Sequence, residues 1–274
     1  MISSLEAELG MKLFERQRGR LIRKPEALYF FEEIDAIMTR LAQSTRTMKD
    51  IANRQEGRLR IACMASSASI IMPQLVADFV RDKPRVKVSL MMRTSKIIEE
   101  CVASQQYDIG LAETPPPNRA LAMRIFELRC VCALRRDDPL SEKMVIQPTD
   151  LAGRPLATLD YEHPSLIATH DAFRAAEAEF NPRFELRNFQ PALKLAEEGL
   201  CYCVCDPMTA SSYFEYQGEN SALVFRPFAP LVPLSVSILQ PAHRPASLLA
   251  SAFAEMLADE MLRINSLFQT KPEP

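Results

Sequence analysis

Hydrophobic spacing separates the chain into one long helix and a region in which strands and helices alternate. Within residues 25–56, positions four and three residues apart are apolar with one polar interruption: Phe30, Ile34, Ile37, Leu41, Ser44, Met48 and Ile51. This heptad pattern predicts a linker helix with a seam for a second helix, so a homodimer or homotetramer is expected. An amphipathic helix that packs on its own domain has the same spacing and is the alternative.

From residue 57 onwards, short apolar runs alternate with longer amphipathic ones. Strands are predicted at 59–65, 86–94, 107–113, 154–160, 184–189, 201–206 and 231–241, and helices at 67–84, 95–105, 164–180, 190–200 and 245–267. This alternation predicts parallel strand pairing and an α/β fold. We expect two lobes, lobe I (57–132 and 236–266) and lobe II (133–235), joined by crossing strands at 128–134 and 234–238. Since open α/β sheets bind ligands at the carboxyl ends of their strands, a cleft between the lobes is the expected site.

Composition and charge limit the classes of protein that fit. Apolar residues make up 47% and charged residues 25% of the chain, as in globular proteins. The net charge of −2 excludes a strongly basic nucleic-acid binder but leaves room for a local basic patch. No apolar run is long enough to span a membrane, and the start lacks a signal-peptide pattern. Seven cysteines, an odd number, favour a reduced, cytoplasmic protein.

A basic segment precedes the linker helix. Residues 12–24 carry six basic side chains against one acidic side chain, and Gly19 between two arginines predicts a turn joining two extended arms. Such a hairpin is suited to contacting DNA phosphates through Arg16, Arg18, Arg20, Arg23 and Lys24. A solvated surface turn is the alternative interpretation.

Hydroxyl side chains follow two strands of lobe I where helices begin. Ser66 and Ser67 follow the first strand, and Thr94 and Ser95 follow the second. Hydroxyls and free backbone N–H groups at helix starts can hold a ligand carboxylate. The alternative role of these residues is ordinary helix capping.

Acidic and amide side chains follow the other strands. Glu113 ends the third strand of lobe I, while Asp160, Tyr161, Asn188 and Asp206 follow strands of lobe II. Together, Glu113, Asp160 and Asp206 predict an acidic pocket opposite the helix starts, which would bind a zwitterion by both ends. His163 could close on the ligand from lobe II, although a lone histidine is more often structural. For Asp206, the alternative is to cap a helix that starts near residue 208.

The sequence contains no recognisable catalytic or metal motif. Cys201, Cys203 and Cys205 alternate, as do Cys130 and Cys132, which is typical of cysteines buried on one face of a strand. Metal binding and redox sensing are less favoured, because the C-x₂-C spacing is absent. We therefore expect no enzyme activity, no cofactor and no metal.

The start of the chain resembles the end of the winged helix-turn-helix of LysR-type transcription regulators. That family has the pattern I-x-x-L-E-x-x-L-G-x-x-L-F-x-R, then a basic wing. The matching residues are Ile2, Leu5, Glu6, Leu9, Gly10, Leu13, Phe14 and Arg16, and the wing is residues 18–24. The linker and the two-lobed region follow in the family's order, so the resemblance covers essentially the whole chain. LRIACMASSAS, QQYDIGLAE and GLCYCVCDPMTASSYF look most similar to the opine- and amino-acid-responsive branch.

The resemblance implies three parts: a partial winged helix-turn-helix (1–24), a dimerising linker helix (25–56) and a two-lobed effector-binding domain (57–274) of the type 2 periplasmic-binding-protein-like class. In that family about 30 residues precede the equivalent of Ile2 and include the helix start that contacts bases, so we expect an N-terminally truncated chain with compromised DNA binding. The implied function is a DNA-binding regulator that senses an amino-acid or opine-like zwitterion. The alternative is a soluble small-molecule-binding protein with no DNA role.

Overall fold

The computed structural model describes residues 2–17, 20–52, 57–161, 163–218 and 221–268. These form two compact units, Met1–Arg54 and Gln55–Pro274. The division falls near the end of the predicted linker helix. Each unit is built from its own elements.

The N-terminal unit contains a short helix, a hairpin and a long helix. Its elements are α1 (Ile2–Leu9), β1 (Phe14–Gln17), β2 (Arg20–Arg23) and α2 (Pro25–Ala52). The strands β1 and β2 pair antiparallel, with Phe14 opposite Arg23, as the two extended arms predict. The predicted turn residues Arg18 and Gly19 lie outside the described residues.

A buried carboxylate joins α1 to the hairpin. Glu6 accepts hydrogen bonds from the backbone N–H of Leu13 at 2.9 Å and of Phe14 at 3.2 Å, and from Lys12 Nζ at 2.9 Å. The hydrogen bond from Lys12, supported by the two backbone donors, lowers the pKa of Glu6. The fixed spacing between Glu6 and the Leu13–Phe14 pair therefore has a physical cause, because the carboxylate satisfies the N–H groups at the start of β1.

The linker helix α2 begins at Pro25, which is favourable in a first helical turn. Along the predicted seam, Phe30 is half-buried, while Ile34, Ile37, Leu41 and Ser44 are exposed. The side chains of Met48 and Ile51 lie outside the described part. Ile37 and Leu41 are 57% and 59% exposed in the single chain, so the seam leaves apolar surface to cover and dimerisation stays a prediction.

The first half of the C-terminal unit forms most of lobe I. Its elements are β3 (Arg58–Cys63), α3 (Ala65–Ala68), α4 (Ile71–Val80), β4 (Lys87–Met92), α5 (Ser95–Ala103), β5 (Ile109–Glu113) and β6 (Leu121–Arg129). The predicted helix over 67–84 is thus two helices. Strand β3 lies parallel to both β4 and β5, which confirms the predicted parallel pairing.

The chain then forms lobe II and returns. Two short 3₁₀ turns, Pro139–Glu142 and Pro148–Leu151, separate the first two strands of lobe II. The elements are β7 (Val131–Arg135), β8 (Pro155–Leu159), α6 (Pro164–Ala175), β9 (Asn181–Leu186), α7 (Phe189–Glu197), β10 (Tyr202–Cys205), α8 (Pro207–Gln217), β11 (Leu223–Pro227), β12 (Pro233–Pro241) and α9 (Leu248–Leu267). Strand β11 has no counterpart in the predicted elements.

Each lobe contains one mixed sheet of five strands within the described residues. The strand order is β4-β3-β5-β12-β6 in lobe I and β11-β7-β10-β8-β9 in lobe II. Strand β8 is parallel to β9 and β10, whereas β12 runs antiparallel to β5 and β6. These parallel strands are followed by helices, so the carboxyl ends of the strands and the starts of the helices share one edge of each sheet.

The chain crosses between the sheets at Cys130 and again between β11 and β12. The Cys130 N–H donates to the carbonyl of Val232 at 2.9 Å, which joins the two crossing segments. These crossings lie a few residues before the predicted lobe boundaries at 132 and 236. The extended pattern of mostly apolar residues across 121–135 continues through both strands, so hydropathy gives no signal where the chain changes sheet.

The alternating cysteines lie in the lobe cores. Cys132, Cys203 and Cys205 are fully buried, and Cys130 and Cys201 are nearly so. Cys201, Cys203 and Cys205 pack in one apolar cluster with side chains of α7. They therefore occupy positions suited to small apolar side chains.

Candidate functional site

A cavity of about 570 Å³ lies between the two lobes. Its size falls in the usual range of small-molecule sites. Lobe I and its crossing strands contribute Met64, Ala65, Ser66, Met92, Arg93, Thr94, Ser95, Ile97, Glu113, Cys130 and Leu234, and lobe II contributes Leu159, His163, Ser165, Arg187, Asn188, Phe189 and Asp206. The lining is mainly apolar, with hydroxyl, carboxyl and guanidinium groups from both lobes.

Four helix starts meet at this cavity. Thr94, His163, Asn188 and Asp206 immediately precede α5, α6, α7 and α8, and all four line it. The first turn of a helix has unpaired N–H groups and the positive end of the helix dipole. The convergence of these starts makes the cavity favourable for an anionic group.

The predicted hydroxyl residues do not all face the cavity. Ser66 lines it, and its Oγ is buried with no hydrogen-bond partner among the described residues. Ser67 is fully buried, donates to the carbonyl of Met64 at 3.2 Å and is not among the residues that line the cavity. Of the two serines, this turn therefore offers the Ser66 hydroxyl to the cavity. Thr94 lines the cavity at an exposed position, and Ser95 Oγ accepts a hydrogen bond from the Glu113 N–H at 3.2 Å.

A histidine–carboxylate contact joins the lobes inside the cavity. His163 Nε2 lies 2.8 Å from Glu113 Oε1. His163 Nδ1 accepts from the Ser165 N–H at 3.2 Å, so in the neutral ring the proton is on Nε2 and is donated to Glu113. A second interlobe bond runs from Ser69 Oγ to Gln190 Oε1 at 3.0 Å. Both lobes are thus held together by side-chain bonds.

Asp206 combines a place in the cavity with a capping role. It is 5% exposed and accepts from the Thr209 N–H at 2.9 Å and from Thr209 Oγ1 at 2.7 Å. Burial raises the pKa of Asp206, and the hydrogen bonds from Thr209 act in the opposite direction. The capping alternative from the sequence is therefore present in the structure.

The structure does not bring Asp160 and Tyr161 to the cavity. Tyr161 is 74% exposed and neither residue is part of the lining. The Asp160 carbonyl instead accepts from the His163 N–H at 3.0 Å, in the turn that leads into α6. Asn188 does line the cavity, and it caps α7 by accepting from the Gln190 N–H at 3.2 Å. The predicted pocket of three acids is therefore reduced to Glu113 and Asp206.

Two arginines of the cavity were missed by the sequence analysis. Arg93 and Arg187 directly precede Thr94 and Asn188, and both line the cavity. Both are the first residue after a strand, Arg93 after β4 and Arg187 after β9. The expectation that ligand-binding residues follow strands could therefore have found them. Their presence changes the charge of the cavity, which also contains the carboxylates of Glu113 and Asp206.

The proposed DNA-contacting residues lie on the hairpin. Arg20 and Arg23 are exposed on β2, and Lys24 Nζ lies 3.9 Å from Glu26. Arg16 is part of β1, but its side chain lies outside the description, as does Arg18 altogether. The exposed positions keep positive charge available to a phosphate backbone.

A second cavity of about 390 Å³ is lined by Ser69, Gln190 and side chains of α7 and α8, among them Leu193 and Tyr213.

The described residues contain no group of three or more His, Cys, Asp or Glu side chains that could hold a metal ion. None of the helices described is both long and apolar enough to span a membrane.

Comparison with known proteins identifies the family. The family model of the LysR substrate binding domain matches residues 52–262. The transcriptional activator protein LysR of Escherichia coli K12 is 29% identical over 254 residues, covering 92% of this chain and 80% of the relative. The octopine catabolism/uptake operon regulatory protein OccR of Rhizobium meliloti is 26% identical over 254 residues, covering 93% and 82%.

A solved structure has the same fold. Full-length CbnR complexed with its target DNA matches with a TM-score of 0.67 and 18% identity, covering 94% of this chain and 87% of that chain. The matched proteins are transcription regulators and not enzymes, in agreement with the sequence prediction. The chain therefore belongs to the family of LysR-type transcription regulators, and its two-lobed region is the effector-binding domain.

Proposed function

We propose that this chain is a cytoplasmic, DNA-binding regulator whose interlobe cavity binds an amino-acid or opine-like zwitterion. The observation that carries the proposal is the meeting of four helix starts and the Glu113 carboxylate around one cavity. A zwitterion presents a carboxylate and an ammonium group, and this lining offers a partner for each. The relative OccR, an octopine catabolism/uptake operon regulatory protein, supports the same class of effector.

The polar groups suggest how the ligand is oriented. The helix starts at Thr94 and Asn188 suit the carboxylate, as does the Ser66 hydroxyl, which has no hydrogen-bond partner among the described residues. Glu113 suits the ammonium group, with Asp206 as a second acid deeper in the cavity. Ser95 remains a candidate contact next to Glu113. Ser67, Asp160 and Tyr161 lie outside the lining and are not part of this orientation.

Effector binding would act on transcription by changing the relation between the lobes. A ligand that contacts both lobes favours the closed arrangement, and it shifts the equilibrium by its difference in affinity for the two arrangements. In a dimer or tetramer formed through α2, that shift would change how the DNA-binding heads are presented. The basic hairpin would contact the phosphate backbone through Arg16, Arg18, Arg20, Arg23 and Lys24.

A thermal-shift screen tests effector binding. The panel contains amino acids, opines, diamines, dicarboxylic acids and aromatic acids. A ligand at about 100 times its dissociation constant adds about 2.7 kcal/mol of stability, which raises the melting temperature by several degrees. We expect selective stabilisation by zwitterions, and the Glu113→Gln variant should lose it. Stabilisation only by uncharged or aromatic compounds would contradict the proposal.

DNA binding needs its own experiment. Electrophoretic mobility shifts at several salt concentrations compare the wild-type chain with Arg20→Ala and Arg23→Ala. We expect weaker binding to all sequences and a shallower salt dependence in the variants, as for lost phosphate contacts. An unchanged salt dependence in both variants would remove the hairpin from the proposed phosphate contacts.

A further inference from the structure

The second cavity, of about 390 Å³, lies along one face of α7 and one face of α8. Residues three, four and seven positions apart share one face of a helix. The lining residues are Gln190, Leu193, Lys194 and Glu197 on α7, Thr209, Tyr213, Tyr216 and Gln217 on α8, and Ser69 and Ile70 of lobe I. None of these residues lines the interlobe cavity, so the second cavity is a separate place for a ligand.

A largely buried carboxylate lies in the second cavity. The side chain of Glu197 is 11% exposed, and its Oε1 accepts a hydrogen bond from Tyr213 Oη at 2.6 Å. Burial raises the pKa of Glu197, but the bonds from Lys194 and Tyr213 outweigh it, so the pKa is lower than its ordinary value. The cavity therefore contains a negatively charged carboxylate at neutral pH.

Lys194 is shared between two acids. Its Nζ lies 2.7 Å from Glu197 Oε2 and 3.1 Å from Glu198 Oε1, so these three side chains have one negative charge in excess. The Lys194 side chain is 69% exposed. It can therefore stay with Glu198 when another cation takes its place at Glu197, and neither lysine nor ligand is left without a carboxylate.

Helix ends and aromatic rings also favour a cation at Glu197. Glu197 and Gln217 are the last residues of α7 and α8, and Gln217 Nε2 lies 3.4 Å from Glu197 Oε1. The negative ends of two helix dipoles therefore meet there. The rings of Tyr213 and Tyr216 line the same space, and the face of an aromatic ring attracts a cation.

The other end of the second cavity offers hydrogen-bond acceptors. Ser69 Oγ donates its proton to Gln190 Oε1 at 3.0 Å, and Thr209 Oγ1 donates its proton to the carboxylate that caps α8, at 2.7 Å. Both hydroxyl oxygens keep lone pairs that can accept from a ligand. Gln190 and Glu197 are seven residues apart on α7, which is about 10 Å along the helix, and Leu193 provides apolar surface between them.

We propose that the second cavity binds a linear α,ω-diamine, with one ammonium group at Glu197 and the other at the hydroxyls of Ser69 and Thr209. The alkyl chain of the diamine lies along Leu193. Ser69 belongs to lobe I and the other contacts belong to lobe II, so the diamine touches both lobes. It is a second effector, separate from the zwitterion, and its site does not depend on the interlobe cavity.

Matched ligands test the proposal on the full chain by isothermal titration calorimetry at constant ionic strength. The probes are putrescine, cadaverine and hexamethylenediamine, each compared with the diol and the monoamine of the same chain length. We expect at least one diamine to bind about tenfold or more tightly than both, as for the loss of a hydrogen bond to a charged group. Equal binding of the diol or the monoamine overturns the proposal.

Substitutions of the ion pair locate the ligand. Glu197→Gln should weaken diamine binding about tenfold or more, and Lys194→Gln should strengthen it because the competing cation is removed. Lys143→Gln is the matched control, since Lys143 also pairs with an acid of lobe II, Asp150, outside the second cavity. This control should bind like the wild-type chain. An equal gain in both lysine variants would show a general charge effect and overturn the assignment.

Two exposed tyrosines give a further matched pair. Tyr216 is 77% exposed and lines the second cavity, whereas Tyr161 is 74% exposed and lies outside it. Tyr216→Leu should weaken the diamine about two- to fivefold, as for a cation–π contact at an exposed site, and Tyr161→Leu should not.

Unfolding curves of the unliganded variants check that the fold is retained. Diamine binding that survives Glu197→Gln in a folded chain overturns the proposal. If that variant does not fold, unchanged affinity in both Lys194→Gln and Tyr216→Leu overturns it instead. The zwitterion screen is independent of these results, because its expected ligand contact is Glu113 in the interlobe cavity.

Discussion

His163 Nε2 and Glu113 Oε1 are 2.8 Å apart, and this hydrogen bond crosses the cavity from lobe II to lobe I. Glu113 ends a strand of lobe I, and His163 caps the helix α6 of lobe II. The same carboxylate that holds the lobes together without ligand is the one proposed to receive an ammonium group. An effector therefore competes with His163 for Glu113 or joins it there.

Removing this bond should weaken the contact between the lobes. We expect His163→Ala and Glu113→Ala to show a coupling free energy of about 0.5–1 kcal/mol in a double-mutant cycle, the usual net value of a part-exposed hydrogen bond. Urea unfolding of the four proteins measures it. The cycle cancels the separate loss of the α6 cap in His163→Ala, and additive effects of the two changes would show that the bond contributes nothing.

Asp206 should be replaceable by asparagine but not by alanine. Its carboxylate caps α8 through the Thr209 N–H, and asparagine caps helices as well as aspartate does. We expect Asp206→Ala to lose about 1 kcal/mol of unfolding free energy and Asp206→Asn much less. Thermal or urea unfolding checks both, and Asp206→Asn is then the suitable variant for testing ligand contact by this residue.

The pH dependence of Asp206→Asn follows from its raised pKa. Because burial raises the pKa of the Asp206 carboxyl in the folded state, the folded chain binds that proton more tightly than the unfolded chain. Ionised Asp206 therefore costs stability at neutral pH, and the cost fades as the pH falls through its raised folded pKa. The unfolding free energy of Asp206→Asn relative to wild type should therefore be more favourable at pH 7 than at pH 4. A relative stability of the variant that rises on acidification would contradict this assignment.

Glu6 should behave in the opposite way. Its pKa is lowered, chiefly by the Lys12 hydrogen bond, so its contribution to stability is present above the unfolded pKa and is lost as the pH falls through the lowered value. Glu6→Ala should reduce hydrogen-exchange protection at Leu13 and Phe14, the two amides it accepts from. The Glu8→Ala variant, at an exposed position of the same helix, is the control. Unchanged protection at both amides would remove Glu6 from this role.

The predicted seam of α2 can be tested with a closely matched pair. Ile37 and Met38 are both 57% exposed in the single chain, but only Ile37 is on the heptad seam. Ile37→Asp should shift the chain towards monomers in analytical ultracentrifugation, whereas Met38→Asp should leave the oligomeric state unchanged. Equal effects of the two substitutions would show that the spacing does not define the interface.

The cysteines should be poor redox sensors. Burial raises the pKa of Cys63 and Cys201 to about 11, and it raises the pKa of Cys132 and Cys205 well above the ordinary value. Since the thiolate is the reactive form, these groups should react slowly with a thiol reagent at neutral pH. Only the half-buried Cys101 is expected to react in the native chain, against all seven after denaturation. Rapid native reaction of several thiols would overturn this expectation.

The α/β order could be predicted from the sequence because the strands that carry it are short apolar runs between amphipathic helices. Strand β11 and the crossing at Cys130 could not be predicted in this way. Residues 223–227 contain three apolar residues followed by an arginine and a proline, which is too few to mark a strand. The mostly apolar pattern on either side of Cys130 is the same where the chain changes sheet. The local hydrophobic pattern indicates which residues are buried, but it does not indicate which sheet a strand joins.

The candidate site was predictable only as a set of chain positions. The rule that ligands meet strand ends and helix starts finds Ser66, Glu113 and Asn188, which line the cavity. It also selects Ser67 and Tyr161, which do not, because side-chain direction depends on turn geometry that residue type does not fix. The Glu113–His163 contact joins residues 50 positions apart, so it could not be predicted from local sequence patterns.

The most direct test of the central claim is a crystal structure of the chain with the strongest zwitterion from the thermal-shift screen. The account predicts ligand density in the interlobe cavity, with a carboxylate at the start of α5 or α7 and the ammonium group at Glu113. Density in the second cavity beside Leu193 and Tyr213, or an interlobe ligand with no polar contact to either lobe, would contradict it.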